Sequence, residues 1–135
     1  MSSDVPDVPH VPDVPHVFDA SALLAYLQGE EGSAMVESAL EAGGACGAAN
    51  WSEVAQKVRA HDRDWSLARS LLLSYRVAVE PVTAEDAERA AERWRAGLGL
   101  SLGDRLCVAL GTRLDATVLT ADAAWGSSGR IVQVR

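Results

Sequence analysis

The stretch "HVFDASALLAYL" (residues 16–27) joins a short apolar strand to a helix through a single aspartate. Val17 and Phe18 suit a buried strand, Asp19 ends it, and the residues that follow have a helix-forming composition. This succession predicts the opening strand and helix of an α/β fold.

The same alternation continues to the end of the chain. Helix-forming stretches lie at 33–42, 50–60, 64–75, 83–96 and 100–114. Stretches typical of strands lie at 45–49, 76–82, 116–122 and 130–134. The order is strand–helix–helix three times and then two strands. It indicates a three-layer α/β/α fold, with helices on both faces of a central, mainly parallel sheet.

Side-chain caps are expected where four of these helices begin. The candidates are Asn50 or Ser52, Asp64, the pair Thr83 and Asp86, and the pair Ser101 and Asp104. Other helix acids lie on faces rich in Arg or Ala and are expected to be solvated. They include Glu37, Glu41, Asp86, Glu88 and Glu92.

The composition is that of one globular domain with an acidic balance. The chain has 135 residues, 48% of them hydrophobic, and a net charge of −7. Such a charge argues against a simple nucleic-acid-binding module, because those are usually basic. It does not exclude a nuclease, whose catalytic carboxylates add negative charge. No apolar run approaches the roughly 20 residues of a membrane span, so no membrane partner is expected.

Two cysteines, Cys46 and Cys107, lie far apart in apolar stretches. They are expected to be reduced thiols in the core of a cytoplasmic protein, and no Cys/His cluster suggests zinc.

Residues 1–15 are expected to form a flexible, proline-rich tail that precedes a domain over 16–135. The unit Val-Pro-Asp-Val-Pro-His occurs at 5–10 and again at 11–16. Proline at this density favours an extended chain. The histidines of the repeat are expected to be solvent-exposed rather than metal ligands.

Four acids from distant parts of the chain are expected at one edge of the sheet. Asp19 and Asp122 follow strands, whereas Glu53 and Asp104 lie in the predicted first turns of helices. The carboxyl ends of parallel strands and the adjoining helix N-termini face one crevice.

Each of these acids also has a purely structural explanation. Asp19 and Asp122 suit turns or caps, Glu53 suits a helix dipole, and Asp104 suits a capping box. Together, however, four carboxylates repel one another unless a cation neutralises them. Ligands that are all oxygen favour Mg²⁺ or Mn²⁺, ions that commonly serve phosphoryl chemistry. Nearby groups that could orient water or a ligand are Ser21, Asn50 and Thr120.

Four stretches resemble the signature regions of PIN-domain ribonucleases, and of VapC-type toxins of toxin–antitoxin pairs in particular. They are "VFDASALLAYL" (17–27), "NWSEV" (50–54), "LSLGDRLCVALG" (100–111) and "VLTADAAW" (118–125). The resemblance implies a PIN-like fold and an endoribonuclease that depends on Mg²⁺ or Mn²⁺.

The resemblance also implies roles for individual residues. The acidic quartet of the family falls on Asp19, Glu53, Asp104 and Asp122 of this chain. Thr120 matches a hydroxyl beside the last acid, and Asn50 and Ser21 match frequent polar positions near the site. The implied partners are RNA and a cognate antitoxin, in a homodimer or a toxin–antitoxin hetero-oligomer.

The working hypothesis is metal-dependent hydrolysis of an RNA phosphodiester, with Asp19, Asp104 and Asp122 holding the metal. Glu53 completes the cluster and positions or deprotonates the attacking water, while Arg59 and Arg105 hold phosphates. The alternatives are a non-catalytic α/β interaction module and a metal-dependent phosphatase. A haloacid-dehalogenase-like phosphatase needs Asp-x-Asp after the first strand, and here Ser21 replaces the second Asp.

Overall fold

The computed structural model of the chain describes residues 15–97 and 99–135. Strands within this part are β1 (His16–Phe18), β2 (Gly44–Gly47), β3 (Ala78–Glu80), β4 (Thr117–Thr120) and β5 (Ile131–Gln133). Helices are α1 (Ala20–Leu27), α2 (Ser33–Ala42), α3 (Ala48–Ala60), α4 (Trp65–Ser74), α5 (Ala84–Glu92) and α6 (Leu102–Leu114). A short 3-10 turn covers Ala123–Trp125. The predicted order of elements is confirmed, while the proline-rich tail, except Pro15, lies outside the described residues.

The five strands form one sheet in the order β3-β2-β1-β4-β5, and every neighbouring pair is parallel. The chain builds outward from β1 through β2 to β3, then crosses back to β4 on the other side of β1. The strand order therefore reverses between β1 and β4, at a topological switch point, where α/β sheets open a crevice for ligands. Asp19 directly follows β1, and Thr120 ends β4.

Apolar residues cover both faces of the sheet, as a three-layer α/β/α fold requires. Successive strand residues point to opposite faces, so Phe18 packs into one hydrophobic cluster and Val17 into the other. The Phe18 cluster draws on α1 to α4, and the Val17 cluster on α6. Cys46 and Cys107 are buried, free thiols in these two clusters, which confirms their predicted core positions.

The start of α3 differs from the prediction. The helix begins at Ala48 with Gly47 as its N-cap residue, so neither Asn50 nor Ser52 caps it. Glu53 consequently lies in the second turn of α3, not the first. The reason is that β2 runs directly into the helix and leaves no loop for a side-chain cap. The other three caps are confirmed, at Asp64 and in the capping boxes of α5 and α6. None of the described helices is long and apolar enough to cross a membrane.

Asp86 is buried, contrary to the expectation of a solvated acid. Its two carboxylate oxygens accept hydrogen bonds from Arg113 Nε at 3.1 and 3.2 Å, and one accepts the Thr83 N–H. Burial raises the pKa of Asp86, but the bonds from Arg113 and Thr83 outweigh it and hold the pKa below its usual range. The pair ties the start of α5 to the last turns of α6.

We expect Asp86→Asn to lower the free energy of unfolding by about 2 kcal/mol at pH 7, because the partly buried Arg113 loses its closer anionic partner and keeps only Glu80, at 3.7 Å. Folding lowers the pKa of Asp86. The ionised carboxylate therefore adds to the free energy of unfolding at pH values above the pKa that Asp86 has in the unfolded chain. The contribution disappears as the pH falls through the folded pKa, so the variant and the wild type converge in acid. Urea unfolding at pH 7 and at acidic pH measures both effects.

The matched control lies on the same helix. Glu85 forms an exposed pair with Arg89, so Glu85→Gln should change the free energy of unfolding by less than about 0.5 kcal/mol. Equal effects of the two substitutions at pH 7 would contradict the special role of Asp86.

Candidate active site

Asp19 joins β1, α1 and β4 at the carboxyl edge of the sheet. Its carboxylate Oδ1 accepts the Ala22 N–H at 2.7 Å, which makes Asp19 the N-cap of α1. Its own N–H donates to the Leu119 carbonyl of β4 at 3.1 Å. Asp19 is 3% exposed. Asp19 therefore both caps α1 and lies at the centre of the crevice.

Two hydroxyl groups hold the carboxylate of Asp19. Thr120 Oγ1 donates to Oδ2 at 2.6 Å, and Ser21 Oγ lies 2.8 and 2.9 Å from the two oxygens. The hydroxyls are themselves fixed, because Ser21 accepts the Ala121 N–H and Thr120 accepts the Asp122 N–H. Ser21 and Thr120, both predicted to lie near the site, thus orient the buried acid.

The charge of Asp19 is unfavourable in this setting. Burial raises the pKa of Asp19 to about 6, although the bonds from Thr120, Ala22 and Ser21 lower it. The nearby charge of Asp104 is a smaller contribution to this rise. The hydrogen-bond donors given above are all neutral, so a cation placed here would relieve both the burial and the repulsion.

Glu53 is held against the first turn of α6 by Asn50. The Asn50 side chain is 1% exposed. Its Nδ2 donates to Glu53 Oε1 at 3.1 Å and to the Gly103 carbonyl at 3.3 Å. A Cβ atom at Gly103 would lie only 2.7 Å from Glu53 Oε1. The missing side chain of Gly103 therefore lets this carboxylate approach the helix turn that carries Asp104.

Asp104 forms the capping box that its spacing predicts. Its Oδ2 accepts the Ser101 N–H at 3.2 Å, and its own N–H donates to Ser101 Oγ at 3.1 Å. The side chain is partly exposed, unlike that of Asp19. The cap fixes the direction of Asp104, and its charge acts on Asp19, so the structural and the electrostatic interpretations both apply.

Asp122 lies two residues beyond the end of β4 and is more exposed than the other acids. Its Oδ1 accepts the Ala124 N–H at 2.9 Å and caps the 3-10 turn. Its backbone N–H bonds to Thr120, the residue that holds Asp19. The backbone of Asp122 thus belongs to the network around Asp19, while its carboxylate caps the turn.

Within residues 15–97 and 99–135, no three Asp, Glu, His or Cys side chains converge as a group that could hold a metal ion. A hydrated Mg²⁺ does not need such a cage, since it keeps several waters and commonly binds through one or two carboxylates. The buried and repelled carboxylate of Asp19, beside further oxygen ligands, suits a hard cation of this kind.

Arg105 has a different local role from the one expected. Its Nη1 donates to the Ala90 carbonyl at 2.7 Å, and its Nε to the Leu100 carbonyl at 3.4 Å. It therefore fastens the end of α5 to the start of α6. No local sequence pattern indicates these contacts, because they depend on the packing of the two helices.

Fold and site together define an α/β protein with an acidic crevice at the carboxyl edge of a parallel sheet. The model of the PIN domain family matches residues 16–127. The chain therefore belongs to the PIN domain family. No curated protein sequence matches it significantly.

Solved structures share the fold. A chain of a toxin–antitoxin complex from Klebsiella pneumoniae superposes with a TM-score of 0.69 at 19% identity, covering 89% of this chain and 98% of that one. A chain of DNA-bound VapBC from Salmonella typhimurium gives 0.66 at 11% identity, covering 90% and 99%. A chain of VapBC2 from Rickettsia felis, bound to a promoter DNA fragment, gives 0.63 at 15% identity, covering 89% and 97%.

We expect Gly103→Ala to impair the site without harming the fold. Ala favours a helix over Gly by up to about 1 kcal/mol. The added Cβ meets only the movable end of Glu53 and should displace that carboxylate. The free energy of unfolding should stay equal or rise by up to about 1 kcal/mol. RNA cleavage, the reaction that the resemblance implies, should slow by about 100-fold.

Gly111→Ala is the matched control in the same helix. Its Cβ would clash with Val118 Cγ2 in the core, so it should cost about 1–3 kcal/mol of stability. If Gly103→Ala destabilises the protein as much as Gly111→Ala, or leaves cleavage at the wild-type rate, the role given to the Gly103 gap is wrong.

Proposed function

We propose that this protein is a metal-dependent endoribonuclease, the toxin of a toxin–antitoxin pair. Membership of the PIN family supports a nuclease. The observation that carries the proposal is the buried, repelled carboxylate of Asp19 at the switch point of the sheet, with Glu53 and Asp104 on the neighbouring helices. An RNA substrate would place the protein in the cytoplasm, where its two free, buried thiols also fit.

In this proposal the chain contributes fixed oxygen ligands and a proton acceptor. Asp19, Asp104 and Asp122 would hold Mg²⁺ or Mn²⁺, directly or through water, and the ion would polarise the phosphodiester and make a bound water more acidic. Ser21 and Thr120 keep the Asp19 carboxylate in one orientation. Asn50 holds Glu53, which we assign to orienting the attacking water and accepting its proton.

A phosphatase of the haloacid dehalogenase type fits less well. The position two residues after Asp19 is Ser21, whose hydroxyl bonds to the Asp19 carboxylate instead of providing a second acid. A non-catalytic interaction module is the stronger rival, because no three metal-binding side chains converge in the described part of the chain.

The proposed protein partner is an antitoxin, since the structural neighbours come from toxin–antitoxin complexes. An open, mainly apolar groove of about 670 Å³ runs from the end of α1 across the start of α4. Leu67 and Leu71 line it and are 70% and 42% exposed. Such a surface suits the apolar face of a partner helix. A homodimer is the alternative assembly.

The direct test is cleavage of total cellular RNA by the purified protein, with and without Mn²⁺. We expect cleavage only with the ion. We also expect Asp104→Asn to reduce it at least 100-fold, because a carboxylate ligand is lost. Asn can still accept the Ser101 N–H, so the free energy of unfolding should fall by about 1 kcal/mol or less. Sequencing of the cut ends would identify the RNA.

Asp115→Asn is the control with the same change of charge. Asp115 caps the far end of α6 in a left-handed conformation that Asn also adopts. The Asp115→Asn protein should cleave RNA at the wild-type rate. An Asp104→Asn protein as active as the Asp115→Asn protein, or cleavage that ignores the metal, would overturn the proposal.

A further inference from the structure

Arginines are concentrated in the last turn of α5 and the residues that follow it, in an otherwise acidic protein. Arg89, Arg93 and Arg95 line an open groove of about 510 Å³ between α5 and α6. Its other lining residues are Glu92, Ala109 and Thr112. Three of the four charged side chains in this arginine groove are therefore cationic, in a chain with a net charge of −7.

The arginines of the groove keep donors for a ligand. Arg89 pairs with Glu85 at 2.8 Å, but both side chains are well exposed, so this pair contributes little to stability. A phosphate could therefore replace Glu85 as the partner of Arg89. Arg95 donates through Nη1 alone to the carbonyls of Glu92 and Trp94. A guanidinium has five N–H donors, which leaves most of those of Arg95 for other acceptors.

An exposed aromatic ring lies in the same segment. Trp94 stands between Arg93 and Arg95 in the chain and is 59% exposed. The large apolar area of an indole ring usually favours burial, so its exposure at this position is unfavourable unless a ligand covers it. Trp94 does not itself line the groove, but its exposed ring adjoins two groove residues in the chain, and surfaces that bind single-stranded nucleic acids combine arginine for the phosphates with a ring on which a base stacks.

The groove is connected to the candidate active site through Arg105. This residue follows Asp104 and donates to the carbonyls of Ala90 and Leu100, which fastens the last turn of α5 to the first turn of α6. The segment 93–95 directly follows this fastened turn of α5. Ala109 and Thr112 follow Asp104 by five and eight residues, so the α6 side of the groove lies about 7.5 to 12 Å from Asp104 along the helix axis.

We propose that the arginine groove, with Trp94, binds the phosphates and a base of a single-stranded RNA whose chain continues to the acids at Asp104. Guanidinium groups match phosphate oxygens in geometry and charge, and the ring selects an unpaired base over a duplex. An acidic protein segment would satisfy the arginines but has no base to place on Trp94. The inference rests on the proposed ribonuclease function for the identity of the nucleic acid.

Binding, rather than cleavage, is the primary measurement, so that failure of the proposed function is distinguishable. A fluorescent single-stranded RNA is titrated by anisotropy into the full-length Asp104→Asn protein, which leaves the probe intact. Adding Arg93→Gln and Arg95→Gln should raise Kd at least tenfold. The slope of log affinity against log salt should fall by about 1.4, as expected for two lost phosphate contacts on a single strand.

The control removes two positive charges from a different part of the surface. Arg69 and Arg76 are exposed on and just after α4, so Arg69→Gln with Arg76→Gln should leave Kd within about twofold. Equal weakening by both double variants would mean that only net charge matters, and would overturn the proposal.

Trp94 is tested separately. Trp94→Ala should weaken single-stranded RNA binding about fivefold or more, Trp94→Phe should restore most of it, and duplex RNA should bind more weakly throughout. In the cleaving protein, the groove variants should raise KM while kcat stays within about twofold. An unchanged Kd in Trp94→Ala would overturn the stacking role and favour an acidic protein partner. If the wild type binds RNA but cleaves none, loss of that binding in the groove variants would support the groove and reject the nuclease.

Discussion

The carboxylate of Asp19 connects three parts of the fold that are far apart in sequence. It caps α1 through Ala22, accepts the hydroxyl of Thr120 at the end of β4, and follows the strand at the centre of the sheet. The strand order reverses at this point, and such a switch point opens a crevice at the carboxyl edge of the sheet. Because its neighbours hold this group so completely, its orientation is fixed before any ligand arrives.

The same enclosure makes the negative charge costly. Burial and the charge of Asp104 raise the pKa of Asp19 to about 6, and the hydroxyls and amide around it only partly compensate. A protein that needed only a helix cap would be served by an exposed Asp, as at Asp64. Destabilising arrangements of this kind are typical of functional sites, where a ligand supplies the missing interaction.

Local patterns predicted the fold well, because each strand ending and each capping box is encoded within a few residues. The capping box of Ser101 and Asp104 and the strand end at Asp19 are examples. The start of α3 was mispredicted, since Gly47 and the alanines after it carry no cap signature. The hydrogen bonds from Asn50 to the Gly103 carbonyl and from Arg105 to the Ala90 carbonyl join different helices, so no local pattern encodes them. The roles of the four acids in binding a metal stay a prediction.

Mg²⁺ binding, measured by isothermal titration calorimetry at pH 7.5, tests the central claim most directly. We expect a saturable binding event in the wild type that is lost in Asp19→Asn, a variant whose side-chain oxygen can still accept the Ala22 N–H and cap α1. The same event should persist in Asp115→Asn. A wild type that binds no Mg²⁺, or an Asp19→Asn protein that binds it equally well, would contradict the account.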